Sequence, residues 1–463
     1  MDYDVIVPQR FLEPLRQAAF NGAKEGGAWA LFSSARVTRD PVNTKPRHRY
    51  ILRHIQPFAV TDTVSSSPKH ITVKTDTFMP ILRQAQCEGL TPGFLHGHPS
   101  GYSAFSMQDD MNDKALTQAT RNRNGPEAGF VSLLVLPDDT LKARVWHGDC
   151  MTQAATVLIA GSQVRIMDRH PIVAAHGSDL DRQARVFGDL FNDQIRALRV
   201  LIVGAGGTGS PLAVMLARAG VRCPVIIDPD IVEDTNLHRL HGARVCDIGR
   251  AKAEVIVDHI NGMGLETGAI GIQGNILDAA HRDLLVSADL IFCCTDDHAG
   301  RLLLNRFAYF YEIPVVDIGL AIERTDMGIR DMTGRVTTLH PGAACLLCRN
   351  IVDPSRARAE ELRRRDPEAF LQQADDGYIL GGGNPEPAFI SMTTSVATMA
   401  MEEMLQLMTG FRGAGGSATQ RLRRFQVPED RRTGAKIDPD CPICGESEIW
   451  GIGDITPFLD RVA

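Results

Sequence analysis

The alternation of apolar and polar positions divides the chain into short apolar runs, which read as strands, and longer stretches with apolar residues at helical spacing. Val200–Val203 is an unbroken apolar run, followed at once by Gly204-Ala205-Gly206-Gly207-Thr208-Gly209, an apolar-periodic segment Pro211–Ala219, and a second run, Pro224–Ile227, ending in Asp228. The order predicts strand, glycine turn, helix and strand. Near the start, Val7–Ala19 has helical apolar spacing and predicts an amphipathic helix ending near Asn21-Gly22, before a buried run Ala28–Phe32. Val131–Leu136 and Leu141–Trp146, separated by Pro137-Asp138-Asp139, predict a hairpin. Ser106-Met107-Gln108-Asp109 has the form of a capping box opening a helix through Met111–Thr120. A late helix is predicted through Val396–Leu407, entered by Ser391, Thr393, Thr394 and Ser395, residues suited to capping.

At 463 residues the chain is long for one domain. The Gly-Ser-Asp run within Ala174–Asp181 marks the expected boundary, giving domains over 1–172 and 173–463. A net charge of −7 without a basic stripe argues against a nucleic-acid partner. The Arg356–Arg365 run, interleaved with Glu360 and Glu361, reads as a solvated helix face. No apolar run of membrane length and no export or transit signal is seen, so a cytoplasmic protein without a membrane partner is expected. In that setting ten cysteines suggest thiols and metal ligands rather than disulfides.

Three patterns carry chemistry. The glycine turn lets backbone N–H groups approach a phosphate at a helix N-terminus, and Asp228 lies nineteen residues past Gly209, where a ribose-binding acid is expected. That much also fits an NAD or FAD site. His96 and His98, at i and i+2 in an extended segment, point to one side and can share a metal, with Asp109 returning as a third ligand and the fourth position left for water. An isolated His-x-His also occurs as a plain surface or core pair. Cys345-Leu-Leu-Cys348 and Cys441-Pro-Ile-Cys444, ninety-two residues apart, suit a closed zinc site of four cysteines, structural because no position is left for water; redox use of the pairs is the alternative.

Taken together, His96-x-His98-Pro99, six residues, Ser106, two residues, Asp109 resembles the JAMM (MPN+) metalloprotease motif without a gap, and Glu25 matches that family's upstream Glu. The resemblance implies an α/β domain with a mixed sheet and flanking helices, His96, His98 and Asp109 as ligands of a catalytic Zn²⁺, Glu25 as general base and Ser106 as stabiliser of the tetrahedral intermediate. It implies cleavage at the C-terminal glycines of ubiquitin-like proteins. Glu88, eight residues before His96, is the competing glutamate.

Farther on, Asp228 through Asn236 and Arg239, then Gly249-Arg-Ala-Lys252, then Cys294-Thr-Asp296-Asp297 resembles the ThiF/MoeB and ubiquitin-activating family of adenylating enzymes. This implies a Rossmann-like domain with a four-cysteine zinc site, using ATP and Mg²⁺. By the resemblance Gly204, Gly206, Gly207 and Gly209 cradle phosphate, Asp228 holds the ribose, Asn236, Arg239 and Lys252 line the triphosphate and Asp296 binds Mg²⁺; the bland alternative for Asp296 is a cap on the following helix. Asp297 replaces the family's common Asn. Asp181-Arg182-Gln183 is similar to the family's opening helix, whose Arg reaches the nucleotide of the neighbouring subunit, so Arg182 implies a homodimer. The family's nucleophilic Cys between the knuckles has no counterpart, since residues 349–440 contain no cysteine. Either the acyl-adenylate passes directly to another acceptor, or an oxygen nucleophile or a distant Cys takes over. The loop Asp375–Pro387, with Gly381–Gly383, reads as a gate for a carrier's tail. The expectation is a JAMM-type peptidase fused to a ThiF/MoeB-type adenylating domain, both acting on a ubiquitin-like or sulfur-carrier protein with a C-terminal Gly-Gly. Thiocarboxylate-based sulfur transfer and a non-catalytic scaffold are the alternatives.

Overall fold

The computed structural model describes residues 1–167, 180–326, 328–375, 388–413, 418–427, 429–445 and 447–458. Most of the expected boundary, 174–179, and most of the expected gate, 376–387, lie outside these residues. The chain divides into two compact units: Met1–Pro171 together with Trp450–Ala463, and Ile172–Ile449. The stretch from Trp450 therefore belongs with the first unit, unlike the expected 173–463 domain. It is held there because Ser33 Oγ donates to the Gly451 carbonyl and Asp454 accepts the Arg36 N–H at 2.8 Å.

The first unit is built on a mixed nine-stranded sheet in the spatial order Cys150–Gln153, Leu141–His147, Gly129–Val135, Thr91–Gly97, Gly27–Val37, Arg47–Pro57, Asp2–Pro8, Thr156–Ala160, Arg165–Met167. The predicted hairpin is present, with Val135 opposite Leu141. The predicted helix over Val7–Ala19 is corrected: Val7 and Pro8 end a strand, a 3-10 turn spans Gln9–Phe11, and the helix is Leu12–Ala19. The β-branched run Val5-Ile6-Val7 has no exposed surface; all three residues pair parallel with Thr156–Ala160, and Val5 and Ile6 also pair parallel with Arg47–Pro57, so sheet burial outweighs helical spacing here. Asp4, directly before that run in the strand, is also unexposed and accepts from Arg47 Nη1 at 2.7 Å, with Arg49 Nε at 3.4 Å, the pairing that a buried carboxylate requires. The helix lays Leu15, Ala18 and Ala19 on a core that includes Val7, Phe32, Leu95 and Leu133.

The second unit has an eight-stranded sheet in the order Ile270–Gln273, Val225–Asp228, Val200–Val203, Leu290–Cys293, Val315–Thr325, Gly328–Leu339, Gln420–Arg424, Glu429–Arg432. Its first five strands are parallel and the rest antiparallel. The chain starts in the middle at Val200–Val203, proceeds outward on one side, then returns to the other. This creates a switch point between Val200–Val203 and Leu290–Cys293, where ligands of such sheets bind. The helix Gly209–Ala219 follows the glycine turn.

One titration tests the packing of the first unit. His48 is stacked on Tyr50 with centroids 4.5 Å apart, and burial, helped by Arg36 and His147, lowers its pKa to about 4. Below the ordinary histidine pKa the unfolded chain takes up a proton that the folded unit refuses, so stability is lost as pH falls from about 6.5 to about 4, by up to about 3 kcal/mol. All three tryptophans, Trp29, Trp146 and Trp450, lie in this unit, so their fluorescence follows its unfolding. In urea melts at pH 7 and pH 4.5, His48→Phe should lose less stability than wild type by about 2 kcal/mol; equal losses would contradict the assignment.

Candidate nucleotide pocket and metal centres

At the switch point the glycine turn opens a cavity of about 310 Å3, lined by Gly204, Gly206, Gly207, Thr208, Asp228, Arg239, Lys252, Asp296, Arg301 and Thr393 among others. Gly204 has φ +98°, and a Cβ on Gly209 would stand 1.9 Å from the Gly204 carbonyl oxygen, so neither position admits a side chain in this turn. At Gly206 a Cβ would meet nothing within 4 Å, leaving backbone open to a ligand. Asp228 ties the turn down: Oδ2 accepts the Ala205 N–H at 2.6 Å and Oδ1 the Asp230 N–H at 2.8 Å. Burial pushes its carboxyl up, opposed by those two N–H groups. Each oxygen keeps a second lone-pair site for a hydroxyl donor.

The cationic wall is made by Arg239, by Lys252, whose Nζ lies 2.8 Å from Asp230 Oδ2, and by Arg301. Arg301 carries no label in the sequence except its place five residues after Asp296 on the helix His298–Phe310. Its guanidinium donates to the carbonyls of Asp296 and Ile318, both at 3.3 Å, and its Nε is 3.4 Å from the unexposed Asp317, which also binds Arg335. Burial works against the Asp317 charge, but Arg335 and Arg301 hold its carboxyl below the usual range. The helix cap is Asp297, accepting from the Gly300 N–H and Thr295 Oγ1, so the capping role considered for Asp296 falls to its neighbour. Asp296 is left in the pocket wall.

Two expected phosphate residues stand elsewhere. Asn236 is buried and closes its own turn, Oδ1 accepting the Glu233 N–H at 2.8 Å, and it does not line the cavity. Arg182 is on the helix Asp181–Phe187 and does not line it either. The capping role considered for Ser391, Thr393, Thr394 and Ser395 is also corrected, since the helix is Ile390–Thr409 and its N-cap is Phe389. Thr393 instead lines the cavity, Thr394 Oγ1 meets His241 Nε2 at 3.0 Å, and Ser395 accepts from Arg423 at 2.7 Å.

Cys345, Cys348, Cys441 and Cys444 converge, with Sγ atoms 3.6 Å apart for Cys345–Cys441 and 3.3 Å for Cys348–Cys444. These separations exclude disulfides and approach the edge of about 3.8 Å expected for a tetrahedron of four sulfurs around zinc. Four thiols in a mostly buried cluster fit a zinc ion.

In the first unit His96 lies near the end of the strand Thr91–Gly97 and His98 follows it, while Asp109 sits in the first turn of the helix Met107–Asn124. His96 Nε2 is 3.1 Å from Asp109 Oδ1 and His98 Nε2 is 3.5 Å from Oδ2. His96 Nε2 is buried with no hydrogen bond despite that approach. Lone pairs facing each other at this distance repel unless a proton or a cation stands between them, so the trio fits a metal. His98 Nδ1 lies 2.9 Å from the Tyr102 carbonyl, leaving Nε2 as the ligand atom. Ser106 forms the expected capping box, accepting the Asp109 N–H at 3.3 Å while its own N–H donates to Asp109 Oδ2 at 2.6 Å. Glu25 is buried on the short strand Lys24–Glu25, two residues before Gly27, which pairs with His96. Burial raises its carboxyl, while His96 and His98 oppose the rise. Glu88 instead ends the helix Phe78–Glu88, exposed and bonded to Gln84 at 3.1 Å, which leaves Glu25 as the glutamate beside the trio.

A parallel-start sheet with a glycine turn, a cationic cavity and a four-cysteine cluster defines a Rossmann-like nucleotide-binding domain. The chain belongs to the ThiF family, which it matches over residues 180–444. It is 26% identical over 259 residues to the SAMP-activating enzyme E1 of Haloferax volcanii, covering 56% of this chain and 84% of that one. Against the adenylyltransferase and sulfurtransferase UBA4 of Meyerozyma guilliermondii it is 33% identical over 131 residues, 28% of this chain and 31% of that one. Against the adenylyltransferase and sulfurtransferase MOCS3 of Caenorhabditis briggsae the figures are 28% over 270 residues, 56% and 58%. The chain thus spans less than two thirds of these two sulfurtransferases. Among solved structures, E. coli MccB with ATP aligns at 18% identity and TM-score 0.44, covering 58% of this chain and 75% of that one. Among the described residues no helix is long and apolar enough to cross a membrane.

The cysteine cluster yields a direct test. Cys348→Ala should lower the zinc content of purified protein by one ion per chain and its melting temperature by several degrees. Unchanged zinc content, or a disulfide forming between the knuckles under mild oxidation, would favour the redox reading.

Proposed function

We propose that the second unit adenylates the C-terminal carboxylate of a ubiquitin-like or sulfur-carrier protein, and that the first unit is a JAMM-type zinc peptidase acting on the same terminus. The observation that carries the adenylation reading is the division of labour at the end of Leu290–Cys293: Asp297 caps the helix, and Asp296 stays in a cavity wall with Arg239, Lys252 and Arg301. A dinucleotide site needs the glycine turn and Asp228 but not three cations and a second acid.

In this reading Gly204, Gly206, Gly207 and Gly209 admit the phosphates, Asp228 takes the ribose hydroxyls, and Arg239, Lys252 and Arg301 neutralise the triphosphate. Asp296 holds Mg²⁺, which supplies charge compensation for the departing pyrophosphate. A carboxylate oxygen of the carrier forms a bond to the α-phosphorus as the α–β anhydride bond breaks, giving an acyl-adenylate. Arg182 acts in trans in a homodimer, in keeping with its place outside this cavity's lining. Asn236 supports the turn between Glu233 and Arg239 rather than the phosphates directly. The names of the Haloferax and sulfurtransferase relatives support carrier activation. The absence of cysteine from residues 349–440 favours a direct hand-over of the acyl group, including to sulfur for a carrier thiocarboxylate.

In the first unit, His96, His98 and Asp109 hold Zn²⁺, which when bound polarises the scissile carbonyl and acidifies water. Glu25, raised by burial, is suited to take a proton and return it to the leaving amine. Ser106 keeps the Asp109 carboxylate facing both histidines and presents its hydroxyl at the helix start. Such a peptidase exposes a terminal Gly-Gly or reverses a conjugate.

The test is an intact-mass time course of a candidate ubiquitin-like carrier bearing a C-terminal tail, with Zn²⁺, Mg²⁺ and ATP. The wild type should remove the tail and then add AMP. His98→Ala should abolish trimming, and with it AMP addition to the tailed carrier but not to a carrier already ending in Gly-Gly, whereas Asp296→Ala should trim normally and reduce AMP addition at least 100-fold, about 2.7 kcal/mol of transition-state stabilisation. No mass change with any ubiquitin-like carrier, alongside intact binding of one, would favour a scaffold.

A further inference from the structure

The helix Met107–Asn124 buries a polar stripe at near four-residue spacing: Asp109, Asp113, Thr117 and Thr120 are each at most 7% exposed. Asp109 belongs to the candidate metal centre. Asp113, one turn on and on the same face, has no exposed surface and no part in the proposed chemistry.

Its two oxygens are used unequally. Oδ2 accepts from Arg144 Nε at 2.8 Å, Trp146 Nε1 at 3.2 Å and the Ser132 hydroxyl, with Arg144 Nη2 2.7 Å away. Oδ1 is buried and has no hydrogen-bond partner. Neither has His96 Nδ1, equally buried. Burial raises the Asp113 carboxyl, opposed first by Arg144 and the Ser132 hydroxyl and last by His96. A buried donor and a buried acceptor left alone cost about 1–3 kcal/mol each, so both groups call for a partner, which a shared buried water can supply. The His96 ring is already confined between Phe94, stacked at 5.3 Å, and Phe105 at 6.1 Å. Phe105 in turn lies under the Arg144 guanidinium at 4.0 Å, and Arg144 also binds Asp110, next to the ligand carboxylate.

Resting on the metal-centre reading above, we infer that the buried Asp113–Arg144 pair is a positioning device for that centre. Through one buried water, Asp113 Oδ1 takes up the Nδ1–H of His96 and so fixes Nε2 as the atom turned toward Asp109. Arg144 braces Phe105 and the helix turn that carries Asp109. His98 has the equivalent partner in the Tyr102 carbonyl. Each histidine is thereby locked in one tautomer and ring orientation before a cation arrives. Neither Asp113 nor Arg144 touches the reacting atoms.

The experiment measures Zn²⁺ affinity of the full chain by competition with a chromophoric chelator, with Co²⁺ absorption separating imidazole–carboxylate from thiolate coordination. Wild type should bind one ion at the histidine site, lost in His98→Ala. Asp113→Asn should weaken that ion about 10- to 100-fold, the range expected when a ligand's outer partner is lost. Because Asp113→Asn leaves Arg144 under-compensated and can harm folding, the paired variant Asp113→Leu with Arg144→Met provides the second arm; such apolar replacement of a buried ion pair is often neutral for stability. It should unfold, metal-free, within a few degrees of wild type by tryptophan fluorescence, yet show the same weakened affinity and an altered Co²⁺ spectrum. Wild-type affinity and spectrum in folded variants of both kinds would overturn the positioning role alone. Absence of the histidine-site ion from the wild type would overturn both this inference and the metal-centre reading.

Discussion

The nucleotide pocket depends on one constraint: the backbone must turn between Gly204 and Gly209 with no Cβ in the way, and something must hold that turn to the sheet. Asp228 does the holding, through N–H groups of Ala205 and Asp230 on either side of the strand end. From that clamp the rest follows. The turn sets the start of the helix Gly209–Ala219, leaves Gly206 open to the cavity, and brings Asp228 beside Lys252 and its partner Asp230. Asp317, unexposed on the strand Val315–Thr325, plays the matching part for the opposite wall by holding Arg301. Charge is thus placed around the cavity by carboxylates that are themselves paired, which is how a fold keeps cations oriented without burying them alone.

The histidine cluster obeys a different rule. It is a set of acceptors pressed together, His96 Nε2 against Asp109 at 3.1 Å, in a site too buried for water to relieve the contact fully. Its stability is expected to rise with cation binding, whereas an ion at the cysteine cluster would cross-link two distant chain segments.

Much of this was legible in the sequence because the informative residues are local: glycine turns, a His-x-His pair, a capping box and two cysteine knuckles keep their chemistry within a few positions. Strand, turn and helix around Val200–Ala219 and the hairpin near Leu141 follow directly from apolar runs. What was missed is non-local. Val7 and Pro8 have helical spacing yet end a strand, because they pair with Ile159 and Ala160 and continue a run buried between two parallel neighbours. Asn236 has a family position on the phosphates, but its short side chain is taken up by the Glu233 N–H. Arg301, Thr393 and Asp113 reach their places only through tertiary packing, and no spacing rule singles them out. The return of the Trp450 segment to the first unit rests on contacts between residues far apart in sequence, Ser33 with Gly451 among them.

The most direct measurement of the central claim is calorimetric titration of the full chain with ATP in the presence of Mg²⁺ and, separately, with NAD⁺. A site built from Asp228, Arg239, Lys252, Asp296 and Arg301 around the glycine turn predicts one ATP per chain, at least tenfold weaker in Lys252→Ala, and no NAD⁺ binding. Stoichiometric NAD⁺ binding with no heat from ATP would contradict it.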